Sequence, residues 1–193
     1  MLIYKSHYLA FIIITFCFVC LIYSLEIDFF ADPNLNYLVI LIDRLGLANR
    51  LRIIAGFHSI AIFTNSTLVV IWVKSDECGA SYSDLFEKSP INMIVHDIDI
   101  NVSHGYLEVT LKEKSAIKNL NFSAFYATDF YIDIPRLLNL YENSSSRQVT
   151  LLWSLGTHTL KGINCNTYLN SKSSFYQSLM PLTHIRFKFK FLL

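Results

Sequence analysis

Hydrophobic positions along this chain first gather into two unbroken runs with a helical stretch between them. "YLVILI" (37–42) and "LVVIWV" (68–73) are continuous apolar runs rich in β-branched side chains, the pattern of strands buried on both faces. Between them, "NRLRIIAGFHSIAIF" (49–63) sets Leu51, Ile54, Ala55, His58 and Ile62 on one helical face. Ile53, Phe57 and Ile60 widen that stripe, so most of the helix should be buried. "TNST" (64–67) reads as a turn. Strand, helix and strand then form a βαβ unit with parallel strands, which places the chain in the α/β class. His58 on the apolar face reads as a hydrogen-bonded core histidine, since no second metal-ligand type stands at helical spacing from it.

Further along the signals are shorter. "INMIVHDIDI" (91–100), "YLEVTL" (106–111), "FYIDI" (130–134) and "QVTLLWSL" (148–155) read as strands, "YLEVTL" by its alternation. "SYSDLFE" (81–87) reads as the start of a short helix capped by Ser83 or Asp84. "PRLLNLYENSSS" (135–146) predicts a helix opening with proline, and "SSFYQSLMP" (173–181) a last short helix.

A different pattern precedes all of these. Residues 8–25, "YLAFIIITFCFVCLIYSL", carry no charge over 18 positions, close to the ~20 that span a bilayer as a helix. Lys5 and His7 precede the run, and Glu26, Asp28 and Asp32 follow it. That asymmetry puts the N-terminus in the cytosol and the rest in the lumen. The expected order is a cytosolic tail (1–7), a transmembrane signal anchor (8–25), an acidic stem (26–36) and one lumenal domain (37–193). The expected protein is a single-pass type II protein of the secretory-pathway membrane, in the Golgi or endoplasmic reticulum. The rival is a cleaved signal peptide, whose apolar core is usually shorter and is followed by a small-x-small site that is missing here.

Composition adjusts this picture at a few points. The 53% hydrophobic content exceeds the usual ~45–50%, and the anchor accounts for part of the excess. A net charge of +1 without a basic stripe excludes nucleic acid as an expected partner. Cys17 and Cys20 fall within the anchor, where cysteine packs as a small hydrophobe. Cys78 and Cys165 remain for the lumen, where a disulfide is chemically allowed but not required by the sequence. Four Asn-x-Ser/Thr sequons, at Asn65, Asn101, Asn121 and Asn143, all follow the anchor, as a chain exposed to the glycosylation machinery would have them.

Candidate chemistry centres on "DRLGLANRLR" (43–52), where a buried strand hands over to a buried helix. A helix starting near Ala48 or Asn49 offers unpaired N–H groups and about half a positive charge. Gly46 permits close backbone approach, and Arg44, Arg50 and Arg52 add cations, which together suit a phosphate or diphosphate. The spacing matches neither a Walker loop nor G-x-G-x-x-G. The alternative is an ordinary turn whose arginines pair with carboxylates such as Asp43 or Asp84. No pair among Asp43, Glu77 and Asp84 has a spacing that identifies a catalytic base.

"GLANRLR" (46–52), an apolar helix, then "TLVVIWVKSDECGASYSDLF" (67–86) resembles the N-terminal half of fucosyltransferase-like glycosyltransferases of the nodulation-factor α1,6-fucosyltransferase and protein O-fucosyltransferase type. The match covers about forty residues in the family's order G-L-x-N-R-L-R, helix, L-V-V-x-W, Cys-containing loop, F-x-D-L-F. The resemblance implies one Rossmann-like domain, half of a GT-B type enzyme, with a GDP-sugar donor and no metal requirement. It places Asn49 near the donor diphosphate with Gly46 beside it. Arg50 and Arg52 match the motif, and Trp72 matches the strand-end tryptophan, where it implies packing. The family's His-x-Arg-x-x-Asp clamp is not reproduced: His184-Ile185-Arg186 is followed by Phe189 where the aspartate should stand. The chain therefore looks truncated before a second domain. The expectations are a fucosyltransferase-related protein acting on a glycan or glycoprotein, weak or inactive by itself. A noncatalytic lumenal module that binds a partner or glycan is the other reading, and an unrelated anchored α/β protein is a third.

Overall fold

Why the chain needs two unbroken apolar strands is answered by where their side chains go. In the computed structural model, which describes residues 28–126, 131–153, 159–161 and 164–185, the elements are β1 (Asn36–Ile42), α1 (Leu47–Phe63), β2 (Ser66–Val73), β3 (Met93–Ile98), α2 (His104–Ile117), β4 (Asn121–Tyr126), β5 (Tyr131–Asp133), α3 (Ile134–Glu142), β6 (Gln148–Trp153), β7 (Thr159–Lys161) and α4 (Cys165–Ser178). Strands β3-β2-β1-β6-β4 form one sheet in which every pairing is parallel, and β5 pairs with β7 in a separate two-stranded sheet. The protein is thus α/β with a five-stranded parallel sheet.

Alternate residues of β1 and β2 build two cores. Leu38, Ile40, Ile42, Leu68, Val70 and Trp72 meet α1, α3 and Phe175 of α4 on one face. Val39, Leu41, Val69, Ile71 and Val73 meet Leu107 and Leu111 of α2, with Phe29 and Phe30, on the other. A sheet covered on both faces has no solvent side, so its central strands have no polar alternation to show. Asn65, Asn92 and Asn119 hold φ of 49°, 59° and 55°, and each lies within two residues of the start of β2, β3 or β4. Asparagine tolerates this left-handed turn at lower cost than most residues.

Several expectations are corrected. "YLEVTL" is not a strand but part of α2. Ser103 caps that helix, its Oγ accepting from Tyr106 N at 3.3 Å, and Leu107, Leu111 and Ser115 are buried four apart. Its short alternation fits a helix equally well, and Val109, which a strand would align with Leu107 and Leu111, is exposed. "SYSDLFE" forms turns rather than a helix; Asp97 accepts from Tyr82 N and Ser83 N, and Asp84 from Ser81 N, as at a helix start, but no helix continues from there. Strand β4 was not foreseen, and α4 begins eight residues earlier than the pattern predicts.

The tail 1–7 and the anchor 8–25 lie outside the described residues. Among the described residues no helix is long and apolar enough to cross a membrane. Within the expected stem, Phe29 and Phe30 pack onto the sheet, while Asp28, Ala31 and residues 33–35 stay exposed. Phe29 and Phe30 are buried, Tyr37 Oη donates to Asp32 O at 2.7 Å, and Lys118 Nζ donates to Phe30 O at 2.7 Å and pairs with Asp28 at 3.2 Å. Phe30→Ala should therefore lower the unfolding free energy by about 3 kcal/mol, read as a shifted urea midpoint at constant slope. A midpoint like that of the parent chain would restore the stem.

Candidate functional site

Strand β1 ends at Ile42, and the chain turns through Asp43, Arg44, Leu45 and Gly46 into α1. In the sheet β1 stands between β2, the next strand along the chain, and β6, which the chain reaches only after crossing from β3 to β4, so the winding of the sheet reverses beside β1. Crevices at such reversals, outside the carboxyl ends of the strands, are where open α/β sheets bind ligands.

Arg50, in the first turn and a half of α1, is fully buried. Its Nε donates to Leu45 O at 2.5 Å. Nη1 donates to Val73 O at 2.7 Å and Ile42 O at 3.4 Å, and Nη2 to Ser75 Oγ at 2.9 Å. Ile42 and Val73 are the last residues of β1 and β2, so one guanidinium ties both strand ends to the loop before α1. Its Cζ stands 4.7 Å from the centre of the Trp72 ring. Trp72 in turn donates Nε1–H to Ala80 O at 2.9 Å and meets Tyr82 edge-on, and Tyr82 packs on Phe86. Burial pushes the Arg50 guanidinium below its ordinary value and the Tyr82 phenol up to about 12. Arginine still stays charged. Among the described residues no carboxylate forms a salt bridge with Arg50; carbonyl oxygens, a hydroxyl and an aromatic face take its place.

The N-terminus of α1 is left open. Gly46 occupies the cap with an extended backbone (φ −64°, ψ 157°) and its carbonyl accepts from Asn49 N and Arg50 N, but no side chain caps the helix and its first turn carries no acid. A Cβ at Gly46 would come no closer than 3.8 Å to Glu77 O, so neither backbone nor packing demands glycine there. Serine or aspartate would cap better. Asn49 and Arg52 are exposed and joined, Arg52 Nη1 donating to Asn49 Oδ1 at 2.9 Å. Lys172 of α4, whose Nζ lies over the Tyr168 ring, is held low by burial and then by the nearby Arg52 charge. Sequence could not place Lys172 here, because α1 and α4 are more than a hundred residues apart. Arg44 is exposed, 4.0 Å from Asp43. Glu77 is held below the usual carboxylate range by its own backbone N–H and Ser75, with smaller help from Arg50 and Arg44.

Of the expected diphosphate ligands, then, Gly46, Asn49 and Arg52 lie together at the open helix end, while Arg50 is committed to carbonyls. None of the three arginines pairs with Asp84. Trp72 packs, as the resemblance implied. Cys78 is a buried free thiol, so the pairing with Cys165 is not made. His184 is exposed and Arg186 lies outside the described residues. The sequon residues Asn65, Asn101, Asn121 and Asn143 are all exposed. Among the described residues no group of three or more His, Cys, Asp and Glu gathers as metal ligands. No family model matches the chain, and no curated protein or solved structure is significantly similar to it.

Arg50→Ala should cost about 3 kcal/mol or more of stability, since hydrogen bonds to charged groups contribute ~1.5–3 kcal/mol each and the freed carbonyls stay buried. Arg52→Ala should leave the denaturation midpoint within ~0.5 kcal/mol of the parent. Equal effects of the two would remove Arg50 from its assigned role. Histidine supplies a pH test. His58 is buried with Nε2 on Ile91 O at 2.8 Å and Nδ1 unpartnered, and burial lowers its pKa below 6.5; burial lowers that of His96 too, followed by Lys114. The unfolded chain then takes up protons first, so stability is full above pH 6.5 and falls as pH drops towards the depressed folded values. His58→Gln should flatten that decline. A decline unchanged in the variant would exclude His58 as its source.

Proposed function

We propose that this chain is a membrane-anchored, fucosyltransferase-related glycosyltransferase-like protein of the secretory pathway, whose Rossmann-like domain holds the diphosphate of a GDP-sugar at the open N-terminus of α1. The observation that carries the reading is that uncapped helix end. Glycine stands where the fold does not require it, at a sheet reversal, beside exposed Asn49 and Arg52 with Lys172 near. Backbone N–H groups and the helix dipole favour an anion there. Exposed Arg52 and half-buried Lys172 add charge, and among the described residues no salt bridge neutralises either. Arg50 acts on the site by fixing the loop, not by touching the ligand. The order β3-β2-β1 is that of one Rossmann half, and β6 rather than β4 follows beyond β1.

The noncatalytic reading, a lumenal module that binds its ligand without transferring it, is favoured by one observation. Asp84 and Asp97, carboxylates of this edge, are both occupied by backbone N–H groups of 81–83. Groups engaged in this way hold a loop rather than move protons.

The discriminating variant is Gly46→Asp. An aspartate cap should raise stability by a few tenths of a kcal/mol over glycine while placing a carboxylate where the phosphate would sit. In the parent chain, titration with GDP followed at the amides of Leu47 to Asn49 should saturate in the millimolar range, about −4 kcal/mol. Solvent and salt screen an exposed site. Asn49→Ala and Arg52→Ala should weaken binding several-fold, Glu77→Gln should strengthen it, and Gly46→Asp should abolish it. If GDP shifts only remote amides, or binds Gly46→Asp as well as the parent, the helix end is a turn and the donor-site reading fails.

A further inference from the structure

The sheet's two edges differ in chemistry. Strand β3 carries His96 and Asp97 and is flanked by the Lys74–Asp99 pair at 2.9 Å. Strand β4, "NFSAFY", has no charge, proline or glycine and pairs with β6 alone in the five-stranded sheet. An uncharged edge strand is a template for pairing with another chain, and proteins normally protect it with charge, proline or a covering element; here the nearest charge is Arg136 of α3, whose Cζ lies 5.2 Å from the centre of the Phe125 ring. Along β4 runs an open cavity of about 650 Å³ whose far wall is one stripe of α3, and Asn121, Phe122, Phe125, Arg136, Asn139 and Asn143 are among its lining residues. Arg136, Asn139 and Asn143 recur at helical spacing, so they share a face.

Two of the four sequons line this one cavity. Asn121 opens β4 and donates Nδ2–H to Ser144 Oγ at 3.0 Å, and Ser144 is the middle residue of the sequon Asn143-Ser144-Ser145. Asn143 ends α3 and donates Nδ2–H to Asn139 O at 3.0 Å. Both asparagines are exposed. We infer that the cover of this edge is the chain's own N-linked glycan, carried at Asn121 and Asn143, which lies along the β4–α3 cavity and keeps β4 from pairing with a second copy. The inference rests on the lumenal placement proposed above. In the modification Nδ2 bonds to the anomeric carbon of a lipid-linked oligosaccharide diphosphate. The carbon–oxygen bond breaks, the lipid diphosphate leaves with the electron pair, and Nδ2 releases one proton. The amide keeps one N–H as a donor for Ser144 Oγ. A bulky, strongly hydrated glycan does the work that lysine or proline does on other edge strands.

The test uses the full chain made in secretory cells and purified in detergent. Asn121→Gln and Asn143→Gln should each remove one glycosidase-sensitive mass increment. The pair Asn121→Gln with Ser145→Ala, which deletes both sequons, should elute as a species at least twice the protein mass of the parent. Asn65→Gln with Asn101→Gln should elute as the parent does. Asn121→Lys in place of Asn121→Gln, still with Ser145→Ala, returns a charge to the edge and should restore the parent's size. Modification at Asn65 or Asn101 but at neither Asn121 nor Asn143 overturns the inference and leaves the lumenal topology standing. No modification at any sequon overturns both. Parental size in the doubly deleted chain, or equal association of the lysine and glutamine versions, overturns the edge-shielding role.

Discussion

A single buried cation, Arg50, fixes the geometry on which the rest of this domain depends. Parallel strands end with carbonyl groups pointing out of the sheet, and those of β1 and β2 must be satisfied inside a packed layer. Arg50 does this for Ile42 and Val73 together and also takes Leu45 O and Ser75 Oγ. A lysine could not span these acceptors, because it lacks the planar fork. The cost of burying the charge is offset by four hydrogen bonds and the Trp72 face, with no carboxylate among them. That arrangement sets the direction in which α1 leaves β1. It thereby sets where the open helix end and Arg52 stand.

From that corner the two cores follow. Helix α1 lies against the even-numbered residues of β1 and β2, and α4 crosses it closely enough at Gly56 that a Cβ there would sit 3.1 Å from Tyr168 Oη. The odd-numbered residues of β1 need their own cover, and α2 supplies only part of it. Phe29 and Phe30 complete it, with Lys118 bonding Phe30 O. The segment next to the expected anchor is therefore part of the fold, and motion of that segment would be felt by the α2 side of the sheet rather than by the loop at Gly46.

The central βαβ unit was legible because burial on both faces writes an unbroken apolar run, and because α1 is buried broadly enough to survive a one-residue error in its face. Two of its residues were misjudged. Ile62, assigned to the buried stripe, is exposed near the helix end, and Arg50, assigned to a ligand, is buried. The latter error has a physical source: a cation reads as exposed or ligand-bound unless its partners are known, and two of the acceptors of Arg50 lie at the end of β2 and just beyond it, 23 and 25 residues away. "YLEVTL" failed for a different reason. Six residues of alternation are too short to separate a strand from a capped helix, and the cap at Ser103 lay outside the run. Strand β4 was missed because an edge strand rich in Asn and Ser carries little apolar signal. The motif singles out Asn49 and Arg52, which the fold holds side by side at the start of α1, whereas Lys172 comes near Arg52 only through the packing of α4 on α1.

The claim most open to direct test is that the guanidinium of Arg50 is a buried strut rather than a ligand. The side-chain Nε–H signals of the arginines separate these alternatives by their rate of exchange with solvent. Arg50 should retain a sharp, slowly exchanging Nε–H at neutral pH, with GDP leaving its shift unchanged, while those of Arg44 and Arg52 exchange fast and that of Arg52 responds to GDP. An Arg50 Nε–H that exchanges as fast as the other two, or that moves with GDP more than Arg52 does, would contradict the account.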